Sequence, residues 1–353
     1  MRRDTFGGET PIRRVTDPAV FFDRRRFVKT AAVLGLLGPS ACDQQPGTQM
    51  APRARSQGQA PGEVDPTIVP PFQRPDVFPA ARAENPAMPD GIQLAPTPRE
   101  VAATHNNFYE FLPGRGGNVW PHTKDFEVEP WKVQITGECL EPTVLDLDAL
   151  FAFAHEERLY HFRCVERWAM NVPWSGFPLR RLLEKVKPTS HARYVRFMTA
   201  NRPDQMPGMR KSGSYAWPYR EALRMDEATN ELAMVVTGVY GEPLLKQHGA
   251  PVRIIVPWKY GYKNPKSVVR IDLLRKRPQT FWQVQPHEYG FISNVNPNIP
   301  HPRWSQRKSY WLDRRDEWFP TPIFNGYGKY VAGLYPDEPD EPQKPLRSGQ
   351  TAR

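Results

Sequence analysis

Cysteine is scarce in this chain of 353 residues, which has only Cys42, Cys139 and Cys164. Three cysteines cannot build a disulfide framework, and no two of them have the close spacing of zinc ligands. There is no glycine-rich nucleotide fingerprint, no run of five basic residues, and no apolar run near the ~20 residues of a membrane-spanning helix. These absences argue against a disulfide scaffold, a nicotinamide or flavin enzyme and a nucleic-acid-binding protein. The formal net charge of +10 is a modest surplus.

Proline, by contrast, is abundant, with 40 residues, and there are 10 tryptophans. Because proline interrupts helix interiors and central strands, this composition favours loops and short strands over a helical bundle. The runs typical of strands are 131–135, 159–162, 194–198 and 252–257, and those with helical spacing are 145–153 and 178–186. The predicted fold class is α+β, mixed and rich in strands and loops.

The N-terminal residues 1–41 have the order of an export signal. Residues 23–29 (DRRRFVK) are basic, and the apolar run 31–37 and small residues follow. The pair Arg24-Arg25, followed by one further residue and then Phe-Val-Lys, resembles a twin-arginine signal. That signal marks proteins that are exported already folded. We therefore expect a periplasmic protein. The alternative is a basic disordered N-terminus, and cleavage or a lipid anchor at Cys42 stays open.

The rest of the chain divides by composition. Residues 42–99 are rich in Pro, Gln, Gly and Ala without apolar periodicity, so we expect a linker or an arm lying on the domain surface. Residues 100–335 are expected to form the functional domain. The acidic, proline-rich residues 336–353 are expected to be a disordered tail.

The stretch 163–168 (RCVERW) is the densest in chemically useful side chains. Arg163 and Arg167 flank Cys164, and positive charge near a thiol favours the thiolate, which binds metals or attacks electrophiles. Taken alone, a cysteine such as Cys164 is more often a buried structural residue than a reactive one. If the stretch is a strand, Glu166 shares a face with Cys164 and could handle protons there. The alternative for Glu166 is an ion pair with a flanking arginine.

This stretch and VPWSGFPL at 172–179 resemble the molybdopterin-binding domain of the sulfite oxidase family, and within that family the branch of periplasmic protein-methionine-sulfoxide reductases. The resemblance covers nearly all of residues 100–330. One departure is Asp204, where the family has glutamate. The other matching blocks are NNFYEF at 106–111, DQMPG at 204–208, VYG at 239–241, GAPVR at 249–253, VPWKYGYK at 256–263, HPRWSQ at 301–306 and FNGY at 324–327.

The resemblance implies one molybdenum per chain, held by the two dithiolene sulfurs of a single pterin and by the Cys164 thiolate. It places Asn107 and Glu166 beside the metal as catalytic residues. Cys139 matches no ligand of the family and is expected to be a packing residue. The implied pterin-binding residues are Asn106, Tyr109, Glu110, Thr199, His248, Arg253, Asn264, Pro265 and Lys266.

Physical reasoning supports some of these pterin contacts. Arg253 can form paired hydrogen bonds with phosphate oxygens, and Lys266 supplies a point charge. The alternatives are a surface salt bridge for Arg253 and an ordinary strand residue for Thr199. Near the mouth of such a site, the aromatic Tyr289 and its neighbours Phe291 and Trp304 could contact a thioether, although each is also a candidate for core packing.

The implied activity is reduction of methionine sulfoxide residues in exported proteins by a monomeric catalytic subunit. Electrons would come from a membrane haem b partner, since the chain has no second redox motif such as Cys-x-x-Cys-His. Sulfite oxidation and reduction of small S- or N-oxides are alternatives within the family, because His248 stands where the reductase branch often has an amide. An exported binding protein is the non-enzymatic alternative, and metal analysis would distinguish it.

Overall fold

The structure is a computed structural model that describes residues 69–84, 87–114, 117–212 and 215–352. The proposed signal at 1–41, Cys42 and the first part of the arm lie outside the described residues, so those assignments stay predictions. Within the described ranges, no helix has the length and apolar character needed to cross a membrane.

Strands and short helices alternate along the chain, as the α+β prediction requires. The strands are β1 (Ala81–Arg82), β2 (Lys132–Gly137), β3 (Thr143–Asp146), β4 (Glu156–Arg163), β5 (Trp168–Pro178), β6 (Tyr194–Thr199), β7 (Arg220–Arg224), β8 (Met234–Val239), β9 (Glu242–Pro243), β10 (Arg253–Ile255), β11 (Val268–Leu274), β12 (Lys308–Trp311) and β13 (Trp318–Pro320). The helices are α1 (Arg99–Thr104), α2 (Leu147–Phe151), α3 (Leu179–Val186), α4 (Pro207–Lys211), α5 (Met225–Ala228) and α6 (Gly328–Val331).

Strand β5 is the centre of the larger, eight-stranded sheet, and all of its residues are buried. It pairs with β4 antiparallel along most of its length. On its other side it pairs with β12 near its start and with β8 near its end. Because β4 and β5 are antiparallel neighbours, the four residues 164–167 that join them are held at one end of this pair.

The second sheet has five strands in the order β3-β2-β11-β6-β7. Only the β2–β11 pair is parallel. Strand β6 shows the alternation expected when one face of a sheet is covered, with Val195, Phe197 and Thr199 buried and the residues between them half-buried. One large buried hydrophobic cluster includes residues of both sheets.

The predicted helices are present with shorter bounds. In α3, Leu179, Leu182, Leu183 and Val186 are buried at helical spacing, which confirms the helix predicted at 178–186. The segment 145–153 is helical only in α2, since its first two residues belong to β3. Asp146 ends that strand and begins the helix, because its carboxylate accepts a hydrogen bond from the Ala149 N–H at 2.9 Å.

The described part of the proline-rich arm lies against the domain. Phe78 packs edge-on against Phe151 and His155, with ring centroids 6.0 and 5.9 Å apart. Strand β1 pairs with the start of β4, and Arg74 forms an ion pair with Asp148 at 2.8 Å. From residue 69 onward this segment is therefore a surface arm.

The C-terminal tail differs from the predicted disordered segment. The Glu338 carboxylate accepts hydrogen bonds from the side-chain amides of Asn294 and Asn296, each at 3.0 Å. The Gln343 N–H donates to the Asn298 carbonyl at 2.7 Å. Composition alone does not predict these contacts of the tail with the domain, because the amide donors come from a loop about forty residues earlier in the chain.

Candidate active site

Cys164 begins the tight turn between β4 and β5. Its N–H donates to the Trp168 carbonyl, and its carbonyl accepts the Arg167 N–H, each at 3.0 Å. Arg167 closes the turn with a positive φ of 78°. Glu166 therefore lies in a turn and not on a strand, so the expected shared face does not exist. It is nevertheless adjacent to Cys164, because its backbone N–H donates to the Cys164 Sγ at 3.5 Å.

The side chain of Asn107 joins the residues predicted to be catalytic. Its amide lies 3.4 Å from the Cys164 Sγ and 3.1 Å from the Glu166 Oε2. The indole N–H of Trp168 also donates to that carboxylate oxygen, at 3.2 Å. Neither Arg163 nor Arg167 forms an ion pair with Glu166, so the alternative of a purely structural ion pair is not observed.

Arg163 is fully buried and turned away from the thiol. Its guanidinium donates to the Ser309 hydroxyl at 2.8 Å and to the Cys164 carbonyl at 3.0 Å. Burial, together with the charge of Glu166, raises the pKa of the Cys164 thiol to about 12. The expectation that flanking arginines lower this pKa was wrong, because desolvation outweighs the charge of Arg163. A thiolate at this position would need a nearby cation to offset the cost of burial.

Cys164 lies on the wall of a cavity with about 860 Å³ of space not filled by protein atoms. Most of the residues predicted from the sequence come together on this wall, although they are spread over 160 positions of the chain. They are Asn106, Asn107, Tyr109, Glu110, Cys164, Glu166, His248, Arg253, Asn264, Pro265 and Lys266.

Thr199 is the exception, since it does not line the cavity. Its hydroxyl donates to the Glu110 Oε1 at 3.1 Å, so it supports a lining residue and makes no contact of its own. Cys139 is half-buried and also lies off the cavity wall, in accord with its expected packing role.

Arg253 is the clearest candidate to hold an anion. It is only 3% exposed, and its Nη1 donates to the His248 carbonyl at 2.7 Å. Its Nε and Nη2 have no hydrogen-bond partner among the described residues, and burial lowers its pKa to about 9. A buried guanidinium with two free donors is costly unless an anion compensates it. The alternative of a surface salt bridge does not apply, because this arginine is buried.

Neighbouring polar atoms likewise have no hydrogen-bond partner in the part of the chain that the structure describes. The His248 Nε2 lies 3.0 Å from the Ala102 carbonyl, which can only accept, so Nδ1 is the acceptor of a neutral ring. Burial lowers the pKa of His248 to about 4, in keeping with a neutral ring. Its Nδ1, the Asn106 Oδ1 and the Trp174 Nε1 all lack partners on this wall. Two acceptors and one donor are suited to the edges of a pterin.

Lys266 and Asn264 come from the loop before β11. The Lys266 Nζ donates to the Asn107 carbonyl at 2.9 Å, and burial lowers its pKa. The Asn264 side chain accepts from the Val256 N–H at 2.5 Å and donates to the Tyr260 carbonyl at 3.2 Å, so it shapes the loop.

Gly249 allows the loop that carries Lys266 to pack directly against the backbone at position 249. Its φ is +97°, and a Cβ at that position would lie 2.6 Å from the Cβ of Lys266. Glycine is therefore required for both backbone conformation and space. The close packing against Lys266, which lines the cavity, explains why the GAPVR block begins with glycine.

Of the three aromatic residues expected near the mouth of the site, only one lines the cavity. Tyr289 lines the cavity, but Phe291 is buried elsewhere with the Lys263 Nζ 4.7 Å from its ring centroid. Trp304 donates its indole N–H to a backbone carbonyl of the Cys164 turn.

The unexpected lining residue is Trp282, whose ring centroid lies 4.8 Å from those of both Tyr109 and Tyr289. It belongs to an isolated 3-10 turn, Phe281–Val284, without a periodic pattern. Trp174 is a second lining residue that the sequence analysis did not single out, although it lies in the VPWSGFPL block and a buried indole N–H needs a partner.

Comparison with known proteins supports the same assignment. The family model for the oxidoreductase molybdopterin binding domain matches residues 120–282. The chain is 41% identical to the protein-methionine-sulfoxide reductase catalytic subunit MsrP of Xanthomonas campestris over 93% of this chain and 95% of that protein. The MsrP of Burkholderia mallei is also 41% identical, over 95% of this chain and 96% of that protein.

Among solved structures, the sulfane dehydrogenase SoxCD from Paracoccus pantotrophus is similar, with a TM-score of 0.41 and 17% identity over 53% of this chain and 45% of that chain. That likeness is too low to add to the assignment, which rests on the two reductases. Since both are matched over nearly their whole length, the chain belongs to the family of protein-methionine-sulfoxide reductase catalytic subunits, which carries a molybdopterin-binding oxidoreductase domain.

Proposed function

We propose that this protein reduces methionine sulfoxide residues to methionine by means of a molybdenum–pterin cofactor bound through the Cys164 sulfur. The observation that carries the proposal is one cavity that combines this thiol with a buried guanidinium, two of whose nitrogens have no hydrogen-bond partner among the described residues. A soft sulfur ligand beside an anion-binding arginine is what a metal on a phosphorylated pterin requires.

The residues fit that cofactor. Arg253 and Lys266 would bind the phosphate, because both are cations on the cavity wall, the first buried and the second half-buried. His248 and Asn106 present acceptors for pterin N–H groups, and Trp174 presents a donor. A neutral His248 offers the same kind of acceptor as an amide oxygen, so the departure at this position preserves the contact.

When bound, molybdenum supplies a site that accepts the sulfoxide oxygen and cycles by two electrons. The overall reaction consumes two electrons and two protons and releases a thioether and water. Glu166 is placed to carry protons, since its carboxylate lies beside Cys164. Asn107 and Trp168 orient that carboxylate with one hydrogen bond each.

The cavity mouth favours a methionine side chain as substrate. Trp282 packs against both Tyr109 and Tyr289 on the cavity wall, and aromatic rings pack well against the carbons and sulfur of a thioether. A substrate polypeptide would stay outside and add binding energy through its backbone. Oxidised proteins are therefore the preferred substrate class.

Location and partners are further parts of the proposal. The twin-arginine pattern supports export of the folded, cofactor-loaded protein to the periplasm. The relatives are named catalytic subunits, which supports a separate electron-donating subunit, and we propose a membrane haem b protein. We further propose one molybdenum per chain and a monomeric catalytic subunit.

Sulfite is the less suitable substrate. The Cys164 sulfur accepts hydrogen bonds from the Asn107 side-chain amide and from the Glu166 backbone N–H. The charge of the Glu166 carboxylate is close enough to raise the pKa of the thiol. A carboxylate repels a doubly charged anion but tolerates a neutral sulfoxide. This contrast favours sulfoxide reduction over the sulfite dehydrogenase alternative, while small S- or N-oxides remain competing neutral substrates.

The test is metal and pterin analysis of purified protein, followed by measurement of kcat/KM with a reduced viologen as electron donor. Oxidised Met-rich protein should give the highest value and free methionine sulfoxide a lower one. Sulfite, assayed with an electron acceptor, should give negligible turnover. Fastest turnover with sulfite would establish the alternative, and protein without molybdenum would point to a binding protein.

A further inference from the structure

The carbonyl of Val165, the residue after the proposed metal ligand, accepts two side-chain hydrogen bonds. One comes from the indole N–H of Trp304 and the other from the amide of Gln306, each at 2.9 Å. Both donors lie in the block HPRWSQ, about 140 positions later in the chain. Two donors converging on one turn carbonyl hold this peptide group in a single orientation.

The other end of the same peptide group points at the sulfur. The Val165 carbonyl and the Glu166 N–H belong to one planar unit, and that N–H donates to the Cys164 Sγ at 3.5 Å. A chain of hydrogen bonds therefore runs from Trp304 and Gln306 through one peptide to the thiol. Hydrogen bonds in such chains polarise one another, so donors on the oxygen strengthen the N–H as a donor.

The geometry of the two donors is well defined. Gln306 is 1% exposed, and only its NH₂ group can donate to a carbonyl, which fixes the orientation of the amide. The ring of Trp304 stacks on His301, with centroids 4.1 Å apart and planes 9° apart. Neither Trp304 nor Gln306 lines the candidate cavity, so neither can act by touching cofactor or substrate.

We propose that Trp304 and Gln306 are positioning residues that raise the reduction potential of the metal bound to Cys164, acting through the Val165–Glu166 peptide. A hydrogen bond to a metal-bound thiolate withdraws electron density from the sulfur and thereby stabilises the reduced metal. Removing a donor from the carbonyl weakens that hydrogen bond and lowers the potential. The inference rests on the proposed bond between Cys164 and molybdenum.

The experiment compares Trp304→Phe, Gln306→Met and the double variant as cofactor-loaded proteins. The midpoint potentials of molybdenum are measured by redox titration with detection by electron paramagnetic resonance. Each single variant should shift them to lower values, and the double variant should shift them further. The sulfur-to-molybdenum charge-transfer band of the oxidised protein should move to longer wavelength, because the sulfur becomes a better electron donor.

Trp131→Phe is the matched control. It also removes an indole N–H from a backbone carbonyl, that of Val268 at 2.8 Å, but this carbonyl belongs to β11 in the other sheet. Its potentials should equal those of the unchanged protein. Unchanged potentials in Trp304→Phe and Gln306→Met, at equal molybdenum content, would overturn the inference. Absence of molybdenum from the unchanged protein would instead overturn the proposed function.

Discussion

Asn107 donates its side-chain amide to the sulfur of Cys164 across 3.4 Å, although 57 positions separate the two residues. The same amide group reaches the Glu166 carboxylate. One side chain therefore couples the proposed metal ligand to the proposed proton carrier. Cys164 thus differs from the other described cysteine, Cys139, which does not line the cavity.

Replacing Cys164 by serine should abolish sulfoxide reduction, because a hard hydroxyl is a poor substitute for a thiolate on molybdenum. Cys139→Ser is the matched control and should retain most of the activity. Both are assayed with the same viologen donor, and molybdenum content is measured alongside. Full activity in Cys164→Ser would disprove the ligand assignment.

Arg253→Met should lower the pterin and molybdenum content of purified protein about tenfold or more, since one hydrogen bond to a charged group contributes roughly 1.5–3 kcal/mol. Cofactor-free Arg253→Met should be nearly as stable as the cofactor-free parent, because an uncompensated buried guanidinium does not stabilise the fold. Arg196→Met, which breaks an ion pair with Asp272, should keep its cofactor. Normal cofactor content in Arg253→Met would exclude the phosphate role.

Stability should fall between pH 7 and pH 5, in part because of His161. Burial lowers the pKa of this histidine to about 4, despite its hydrogen bond with Asn171. The unfolded chain binds a proton near its ordinary pKa of about 6.5, so below that pH the unfolded state is favoured by ~1.4 kcal/mol per pH unit. The penalty stops growing once the pH passes the folded-state pKa.

Urea unfolding at several pH values measures this effect. His161→Gln should lose less stability than the parent between pH 7 and pH 5, by roughly 2 kcal/mol. Part of the slope should remain, because burial also lowers the pKa values of His105 and His248 to about 4. Identical slopes for variant and parent would show that His161 is not held neutral.

Changing Arg24 and Arg25 to lysine should leave folded, cofactor-loaded protein in the cytoplasm. The swap keeps the charge of the leader, so an export defect would show recognition of the guanidinium pair. Cell fractionation with metal analysis of each fraction measures the outcome. Normal export of the double variant would indicate transport of an unfolded chain, which conflicts with cofactor loading before export.

Several features of the protein were predictable from the sequence because they depend on local patterns. Helix α3 follows from four apolar residues at helical spacing after a proline. Most of the residues that line the cavity were predicted because their blocks resemble those of a known family. Such blocks record which side chains meet a ligand, even though they do not show where those side chains lie.

The tertiary structure decided the rest, since it depends on contacts between distant parts of the chain. Whether Glu166 lies on a strand or in a turn depended on how β4 pairs with β5, and that pairing is stabilised by neighbours from both sides. The thiol pKa depended on burial, which local charges do not report. The contacts of Trp304 and Gln306 with the Cys164 turn required strand β12 to pair beside β5, a long-range arrangement that no local spacing encodes.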